Sequence, residues 1–409
     1  MVTINKDPRL ELNTWHQTGP FAITTRCEIK QRGVKNLELH NESVLKIQDL
    51  LTECKTANQR FRAYGSLWSL NDIAFNGGWV LNNSDMDVIN SRIIRDDAIF
   101  NAAIVSLGSF GFIAAIVMEV ENIYSLKRYV RNINYDDAIQ LLENLDFKNS
   151  NFKITEETDG DNNPIQPYHF KTYINQYTKD CVAEVIYKIP YQKTQYPEVE
   201  IGTQLHPDLF RLMKWALEKS DMKVTKLLTR LIQGDAMPNP KGNPKPLIGT
   251  LGDIFHAVDF QQPAFSLALG VNQKQLNKAM QTWLKIFKAH KAPGLSAIKL
   301  VKQTKATIGF HKFPITAVIH MDGVQWDPKE DQLLVQQEII KTFIKDGIDF
   351  TLHWGKNGAW DHPSLAELMY SSKKEDWIKQ RNRLLRPEMA KMFSNDFLKR
   401  LGMDTIIDR

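Results

Sequence analysis

The sequence has few cysteines and no long apolar run. Its 409 residues include only three cysteines, Cys27, Cys54 and Cys181, and no two of them have the spacing of zinc ligands. We therefore expect reduced, mostly buried thiols in a cytoplasmic protein rather than a disulfide framework. The longest apolar stretch, Leu107 to Met118, contains two glycines. It is well short of the roughly 20 residues that cross a membrane, so no membrane span is expected.

Concentrated charge of one sign is also lacking. The 52 basic and 47 acidic side chains leave a net charge of +5, and they form no basic tract, so binding to nucleic acid is not expected. Residues 1–10 mix charged and single apolar residues, unlike the apolar core of a secretory signal. The ten histidines are dispersed, and no metal site is predicted. The sequence contains no Gly-x-Ser-x-Gly motif and no Walker-type phosphate loop.

The chain does contain enough apolar sequence for a large core in two or three domains. Hydrophobic residues make up 43% of it and charged residues 24%, as in ordinary globular proteins. Residues 150–165 are polar and include the turn sequence Asp159 to Pro164. We place a domain boundary here, which gives a first domain of residues 1–150 and a second domain of residues 151–409.

The spacing of apolar residues predicts an α+β fold. Adjacent strands after residue 165 are joined by short turns, which favours an antiparallel sheet covered by helices. A loop is predicted over residues 235–250. The predicted helices cover residues 41–56, 136–145, 207–220, 273–290 and 328–345. The predicted strands cover residues 61–63, 170–174, 182–189, 264–270, 297–301, 307–310, 316–321 and 350–354, with strand-like runs on either side of a glycine turn within residues 99–121.

The turn after the first predicted strand has the composition of an anion-binding loop. It occupies Arg62 to Ser69, with the sequence RAYGSLWS. Gly65 leaves room for an anion, and backbone N–H groups can converge on a pyrophosphate together with the Ser66 and Ser69 hydroxyls. A turn with a purely structural role has the same composition, so the residues alone leave both interpretations open.

Together with the helix before it, this loop resembles the first FAD-binding loop of the vanillyl-alcohol-oxidase (PCMH-type) superfamily. Within that superfamily it is most similar to the aldonolactone and alditol oxidase branch. Many members have in this loop a histidine that bonds covalently to the flavin. Trp68 stands at that position here, so the resemblance implies non-covalent FAD. It also implies cofactor contacts at Tyr64, Gly65, Ser66, Leu67, Trp68 and Ser69.

A second glycine turn, at Ser106 to Ile113, has the sequence SLGSFGFI. By itself it fits a tightly packed strand–turn–strand. It also resembles the family's Ser-Leu-Gly-x-x-Gly element, whose glycines let the backbone approach the adenine half of FAD. Family members have further residues where this sequence passes directly from Asn90 to Arg95, so the resemblance implies an FAD-binding domain that is shortened at this point. The resemblance implies further cofactor contacts at Ser106, Gly108, Gly111 and Ile113.

The third motif is His353-Trp354-Gly355-Lys356, which follows a predicted strand. A lysine on a glycine turn can deliver a positive charge to one fixed point, although a buried tryptophan beside an exposed lysine gives the same residues. The tetrapeptide is similar to the signature of sugar-lactone and alditol oxidases and of related flavin sterol oxidases. The resemblance implies that Lys356 lies at the flavin and substrate, and that His353 orients or hydrogen-bonds nearby.

Residues 297–301 resemble an inward-facing strand that carries an acidic and a basic residue in some relatives. The basic position corresponds to Lys299, a third candidate for a catalytic role, and the acidic position corresponds to Ala297. His311 and His320 lie on the predicted hairpin that follows. For both histidines, a hydrogen-bonded place within the sheet is preferred over a catalytic role.

These motifs predict an FAD-dependent oxidoreductase, an oxidase or a dehydrogenase. It would remove a hydride from a carbon that bears a hydroxyl in a sugar lactone, an alditol or a related alcohol. The electrons would pass to molecular oxygen or another acceptor, and the partner is a small-molecule substrate. One alternative is a cofactor-free or catalytically dead ligand-binding derivative of the family. Another is an unrelated α/β enzyme whose motifs match by chance.

Overall fold

The structure, a computed structural model, divides into two compact units. The first comprises residues 1–119, 304–310 and 354–409, and the second comprises residues 120–303 and 311–353. Residues 120–150 therefore lie in the second unit, whereas the sequence analysis assigned them to the first domain. The residues described are 2–8, 11–13, 19–32, 37–64, 73, 77–82, 96–113, 116, 118–150, 152, 154, 156–191, 229, 245–255, 264–325 and 329–407.

Strands and helices alternate along much of the chain. The strands are β1 (Val2–Asp7), β2 (Glu11–Leu12), β3 (Phe21–Ala22), β4 (Thr25–Gln31), β5 (Phe61–Tyr64), β6 (Trp79–Asn82), β7 (Tyr124–Ile133), β8 (His169–Ile174), β9 (Cys181–Pro190), β10 (Leu247–Gly249), β11 (Ala264–Asn272), β12 (Gly294–Lys302), β13 (Ile315–Val324) and β14 (Phe350–Leu352). The α-helices are α1 (Leu37–Thr56), α2 (Asp97–Ile104), α3 (Tyr135–Asn144), α4 (Leu251–Ile254), α5 (Leu276–Ala289), α6 (Lys329–Lys345), α7 (Leu365–Tyr370), α8 (Ser372–Leu384), α9 (Pro387–Met392) and α10 (Asp396–Arg400).

The first unit contains a four-stranded sheet in the order β1-β4-β6-β5. β1 runs antiparallel to β4, while β6 runs parallel to both β4 and β5. α1 packs its apolar stripe onto this sheet, because Ile47, Leu50 and Cys54 share one core cluster with Cys27 and Phe61. Burial raises the pKa of the Cys54 thiol to about 12, so this thiol stays protonated and unreactive at neutral pH. The helix predicted over residues 41–56 is confirmed.

Two sequence predictions near the second glycine turn are wrong. Residues 97–104 form α2 instead of a strand. On the other side of the turn, residues 112, 113, 116 and 118–121 form no strand, and the rest of that predicted run lies outside the described residues. The Asp96 side chain accepts a hydrogen bond from the Ile99 backbone N–H at 3.0 Å, which is a helix amino-terminal cap. A short apolar run has no decisive periodicity, so this cap selects the helix over the strand.

The second unit is built on an eight-stranded sheet in the order β10-β7-β9-β8-β12-β13-β11-β14. Every neighbouring pair is antiparallel, which confirms the α+β class. Helices α5 and α6 cover one face of it. There Phe287 of α5 packs edge-on against Phe265, with ring centroids 6.4 Å apart, and Phe343 of α6 packs against Phe350 at 6.0 Å.

Two further element predictions need correction, and a third lies outside the described residues. Residues 307–310 form a turn instead of a strand, because this segment leaves the sheet: it belongs to the first unit, and the Thr307 N–H donates to the Asn101 carbonyl at 2.9 Å. The loop predicted over residues 235–250 contains β10. The helix predicted at residues 207–220 falls outside the described part of the chain. No helix among the described residues is long and apolar enough to cross a membrane.

Candidate functional site

The second glycine turn forms a tight loop at the end of α2. The Gly108 N–H donates to the Ser106 hydroxyl at 3.2 Å, and the Ser109 N–H donates to the Ser106 carbonyl at 2.9 Å. Leu107, Gly108 and Gly111 all have positive φ, at 47°, 66° and 106°. Glycine adopts this backbone region readily, which explains two of the three residues at these positions. Ser106 therefore shapes the loop through its own hydrogen bonds.

Arg62 of β5 packs against the loop. It is only 2% exposed, and its Nη1 donates a short hydrogen bond to the Leu107 carbonyl. A Cβ atom at Gly108 would collide with the Arg62 guanidinium and lie 3.0 Å from its Cδ. Because Arg62 is buried, it cannot swing aside easily. Glycine at position 108 is therefore required both by the backbone angle and by the space available.

Helix α8 holds the loop from its other side. The Trp377 Nε1–H donates to the Val105 carbonyl at 2.9 Å, and the Arg381 Nε–H donates to the Ser109 carbonyl at 3.2 Å. The Phe110 ring meets Trp377 edge-on at 5.1 Å. Burial lowers the pKa of Arg381 to about 10, so its guanidinium remains charged at neutral pH. These contacts fix the loop backbone before any ligand arrives.

A cavity of about 190 Å³ opens where β5 ends beside this loop. Of the residues predicted to contact a cofactor, Tyr64, Gly108, Gly111 and Ile113 line it. The sequence analysis placed these four residues on two separate loops, and the fold brings them together. Ser106 is not among the lining residues. The other predicted contacts, at residues 65–69, lie outside the described residues, as does the short bridge at residues 90–95. The full lining is Ala63, Tyr64, Gly108, Gly111, Phe112, Ile113 and Phe393.

The His-Trp-Gly-Lys motif is anchored by its tryptophan. Trp354 is 7% exposed and stacks on Trp360 and Tyr370, with ring centroids 5.4 and 5.6 Å away. Its Nε1–H donates to the Ile308 carbonyl at 2.9 Å. The Trp360 Nε1–H donates to the Lys356 carbonyl at 2.9 Å. The backbone of the candidate catalytic lysine is thereby held, while its side chain remains partly exposed.

The segment 304–310 connects this motif to α2 within the first unit. Thr307 bonds to the carbonyl of Asn101 on α2, and the next residue, Ile308, accepts the bond from Trp354. The predicted Lys356 motif and the Gly108 loop are therefore linked by two consecutive residues from a distant part of the sequence. Local periodicity does not indicate this link, and residues 307–310 of the segment were predicted to form a strand.

His353 lies in the second unit, although Trp354 belongs to the first. Its N–H donates to the Ala268 carbonyl at 3.0 Å, which continues the pairing of β14 with β11. The His353 side chain is exposed. Its role beside a flavin or a substrate stays a prediction.

Lys299 lies on the face of the eight-stranded sheet opposite to α5 and α6. Residues directly paired across strands share a face, and so do residues two apart along a strand. Lys299 pairs with Lys171 of β8, and Lys171 pairs with Glu184 of β9. By the same rule this face includes the polar residues Arg128, His169, Lys171, Tyr173, Glu184, Lys188, Ser266, Lys299, His320 and Asp322, together with apolar residues such as Val130, Ile186, Ala297 and Val318. It is here called the polar sheet face.

Lys171 is held in place on the polar sheet face. Its Nζ donates to the Tyr173 hydroxyl at 2.8 Å and lies 4.2 Å from the centre of that ring. Burial acts to lower the pKa of Lys171, but Tyr173, Glu184 and Asp322 outweigh burial and raise it. Lys171 is therefore a cation at neutral pH.

Lys299 acts electrostatically on two histidines. The pKa of His169 falls to about 4, chiefly because of burial and secondly because of the charges of Lys299 and Lys171. The pKa of His311 is also lowered, first by burial and then by Lys299. Both imidazoles are therefore neutral at pH 7.

His320 and Asp322 form a hydrogen-bonded pair on the same face. The His320 Nδ1 lies 2.8 Å from Asp322 Oδ2, and the Ser266 hydroxyl donates a short hydrogen bond to Asp322 Oδ1. The preferred interpretation from the sequence, a histidine hydrogen-bonded within a sheet, describes His320. His311 lies instead in the turn before β13. Among the residues that the structure describes, no group of three or more His, Cys, Asp or Glu side chains could hold a metal ion.

Sequence reasoning missed Arg62, Lys171, Tyr173 and Glu184. A signal was available for two of them, since residues 170–174 were predicted to form a strand, and residues two apart on a strand, such as Lys171 and Tyr173, share one face. Arg62 had no such signal. Its burial depends on Gly108, which lies 46 positions away in the sequence.

Comparison with known proteins gives a fold and no family. No protein-family model matches the chain, and no curated protein matches it. A crystal structure of cholesterol oxidase from Brevibacterium sterolicum matches with a TM-score of 0.69 at 10% identity, covering 98% of this chain and 97% of that one. A histidine-to-alanine mutant of the Brevibacterium sterolicum enzyme gives the same values. At this identity the likeness shows that the chain has the fold of these structures.

Proposed function

We propose that this protein is an FAD-dependent oxidoreductase that acts on an alcohol carbon of a small, polar substrate such as a sugar lactone or an alditol. It would take a hydride from a carbon that bears a hydroxyl and pass the electrons to molecular oxygen or another acceptor. The observation that carries the proposal is the cavity beside Gly108, because four separately predicted cofactor contacts line it. The fold shared with cholesterol oxidase structures supports it.

The residues around this cavity fit part of a dinucleotide. Gly108 and Gly111 contribute backbone to the lining of the cavity, which a phosphate or a flat ring can approach. The volume of about 190 Å³ is below the roughly 300–1,000 Å³ of pockets that hold a whole ligand. The described cavity therefore suits one portion of FAD. With Trp68 in place of the family's histidine, the binding would be non-covalent.

Bound FAD would supply the hydride acceptor. Lys356 would contribute a fixed positive charge that stabilises negative charge as it develops during the reaction. This role needs a rigid backbone, and two contacts supply it: the bond from Trp360 to the Lys356 carbonyl and the stacked Trp354. His353 would orient a neighbouring group or hydrogen-bond to it.

The polar sheet face supports a hydrophilic substrate. Lys299, Lys171 and Tyr173 place polar atoms there, whereas a sterol such as cholesterol presents mainly apolar surface that would displace water from these atoms without hydrogen-bonding to them. Lys299 would bind a substrate oxygen. Ala297, at the position that is acidic in some relatives, offers no polar atom from its side chain.

A cofactor-free, ligand-binding derivative is the second candidate. The small volume of the cavity beside Gly108 and the apolar Ala297 favour it. Such a protein would keep the fold and the polar sheet face without catalysing redox chemistry.

A visible absorption spectrum of the purified protein separates these two candidates. We expect a flavin spectrum with one FAD per chain, released on denaturation because the binding is non-covalent. A protein that stays colourless and does not quench the fluorescence of added FAD would refute the proposed activity.

If flavin is bound, Lys356→Met should leave the spectrum intact and reduce turnover by on the order of 100-fold or more, as removal of an electrostatic catalyst does. Lys379→Met is the matched control, since Lys379 is exposed on α8. Turnover in the Lys356 variant equal to that of the control would contradict the assigned role.

A further inference from the structure

We propose that the first unit has a second binding site, which takes a phosphate monoester with an apolar body. The site is a cavity of about 830 Å³ lined by residues at the end of α1, on α9 and around α10. In the described part of the chain, it shares no lining residue with the cavity beside Gly108. The inference therefore goes beyond the proposed function and does not depend on flavin binding.

The size of this second cavity suits a whole small ligand. Pockets that hold one measure roughly 300–1,000 Å³, and its volume of about 830 Å³ falls within that range. Met392 and Ser394 line it, whereas Phe393, between them in sequence, lines the cavity beside Gly108. The chain therefore runs between the two cavities at the end of α9.

Positive charge predominates in the lining. Four lining residues are basic and two are acidic, namely Lys55, Arg60, Lys391 and Lys399 against Glu388 and Asp404. The site is here called the basic cavity. Arg60 Nη1 lies 2.8 Å from Asp396 Oδ1. Burial lowers the pKa of Arg381, and the charge of Asp404 opposes that shift. With these two pairs counted as neutral, three lysines remain against one glutamate, an excess of two positive charges.

The three lysines come from three different helices. Lys55 lies in the last turn of α1, Lys391 in the last turn of α9 and Lys399 in the last turn of α10. All three are exposed, and none forms an ion pair with a carboxylate of the described residues. Their ammonium groups can therefore bind an anionic ligand without breaking an existing ion pair.

The charged residues that flank the basic cavity do not cancel this excess. Besides Asp396, those within two positions of the lining are Glu53, Arg62, Arg386, Arg400 and Asp408. Glu53 forms an ion pair with Lys6, and Asp408 lies outside the described residues. The other three are arginines, so the surroundings of the cavity are basic as well.

The end of α1 offers hydrogen-bond donors to the cavity. The Asn58 N–H donates to the Lys55 carbonyl and the Gln59 N–H to the Cys54 carbonyl, each at 3.0 Å. These carbonyls at the helix end are therefore capped and do not repel an anion strongly. Gln59 Oε1 accepts a hydrogen bond from the Thr24 hydroxyl at 3.2 Å, which leaves the Gln59 Nε2–H₂ group to donate to a ligand.

A phosphate monoester matches both the charge and the remaining surface. It carries a charge of about −1.5 to −2 at pH 7, and its three terminal oxygens accept hydrogen bonds. Pro387, Met392 and Ile406 add apolar surface to the lining, which inorganic phosphate would leave uncovered. We therefore assign to the basic cavity an ester whose organic part is apolar.

Phenyl phosphate and phenyl sulfate are a matched pair of probes. They share a ring and a tetrahedral anion, but at about pH 7.5 the phosphate carries nearly two negative charges and the sulfate one. Isothermal titration calorimetry of the purified full chain measures both dissociation constants. We expect phenyl phosphate to bind at least about fivefold more tightly than phenyl sulfate, and also more tightly than inorganic phosphate. Equal affinity for phenyl phosphate and either of the other two anions would overturn the proposal.

Lysine variants locate the site. Lys55→Met and Lys391→Met should each weaken the binding of phenyl phosphate at least about threefold. Lys46→Met is the matched control, because Lys46 is also exposed on α1 and lines a different cavity. Lysine variants that bind phenyl phosphate as tightly as the control would exclude this site.

Glu388→Gln should change the affinity in the opposite direction. The Glu388 carboxylate repels a phosphate in the same cavity, so its removal should tighten the binding of phenyl phosphate at least about twofold. A misfolded protein would not gain affinity, so this variant decides the question if a lysine variant fails to fold. An unchanged or lower affinity of the Glu388 variant, with an unchanged circular dichroism spectrum, would overturn the proposal.

Discussion

The two units offer a ligand different kinds of groups. Beside the Gly108 loop of the first unit, the groups are backbone and small or aromatic side chains, and Gly108 and Gly111 line the cavity. On the polar sheet face of the second unit, the groups are charged side chains set by strand register, with Lys171 opposite Lys299. A glycine loop suits a large, flat or phosphate-bearing cofactor, whereas fixed charges suit a small substrate that must be told apart from similar molecules.

The two regions also differ in what holds them. The loop depends on two buried arginines. Arg62 of β5 and Arg381 of α8 each donate a hydrogen bond to a carbonyl of the loop. The polar sheet face depends on an eight-stranded ladder of backbone hydrogen bonds. We therefore expect the loop to be sensitive to single changes of shape, and the sheet face to be sensitive mainly to changes of charge.

The largest effect is expected for Gly108→Ala. It combines a positive φ with a collision against Arg62, so it should lower the free energy of unfolding by about 3 kcal/mol. Gly77→Ala is the matched control, because Gly77 has φ of 67° and no atom of the described residues lies within 4 Å of the place that its new Cβ would take. The control should cost only about 1–2 kcal/mol. Urea denaturation measures both, and equal losses would show that Arg62 does not restrict the loop.

The second effect concerns pH and the polar sheet face. The pKa of His169 is lowered from 6.5 to about 4 by burial, Lys299 and Lys171, so the unfolded chain binds a proton more readily than the folded one. The contribution of His169 to the free energy of unfolding is therefore fully present above pH 6.5 and is lost as the pH falls towards 4. Between pH 7.5 and pH 5 the free energy of unfolding should fall by roughly 1–2 kcal/mol, a range that allows for the partial exposure of His169 to solvent.

His169→Gln removes this titration, so the stability of the variant should fall less over the same interval. Urea denaturation at the two pH values compares the variant with the unchanged protein. A parallel fall in both proteins would show that His169 keeps an ordinary pKa in the folded state.

The smallest effect on stability is expected when one buried serine from each unit is replaced by alanine. Ser266→Ala should lower the free energy of unfolding by about 1 kcal/mol, because the Ser266 hydroxyl donates a hydrogen bond to the Asp322 carboxylate. The Ser109 hydroxyl is buried and has no hydrogen-bond partner among the described residues. Ser109→Ala should therefore be neutral or stabilise by up to about 1 kcal/mol. Thermal unfolding distinguishes the two; a similar loss for Ser109 would indicate that its hydroxyl is hydrogen-bonded in solution.

Much of the fold follows from local pattern. The helices at residues 41–56 and 136–145 and the strands around residues 170–189 were predictable, because a period of 3.6 or 2 in apolar residues marks the buried face of each. Short segments were not predictable in this way. Residues 97–104 and 307–310 are too brief for a period to emerge, so a helix cap and a tertiary hydrogen bond decide their conformation.

The glycines of the candidate site were visible in the sequence, but their surroundings were not. The glycines at positions 108 and 111 indicate a turn, because few other residues readily adopt the positive φ that both have. That Tyr64 shares a cavity with them depends on the packing of β5 beside the loop. The buried Arg62 side chain leaves no space for a Cβ atom at position 108. No local sequence pattern indicates this contact.

By itself, the sequence determined the α+β class, the positions of most long elements and the three motifs that suggest a flavin. These depend on local spacing and on residue types that have few conformational alternatives. Only the tertiary structure decided which motifs meet. The pairing of Lys171 with Lys299 depends on strand register across 128 residues of sequence. A shift by one residue would send every side chain of a strand to the other face, so the charge of the candidate substrate site is a property of the folded sheet.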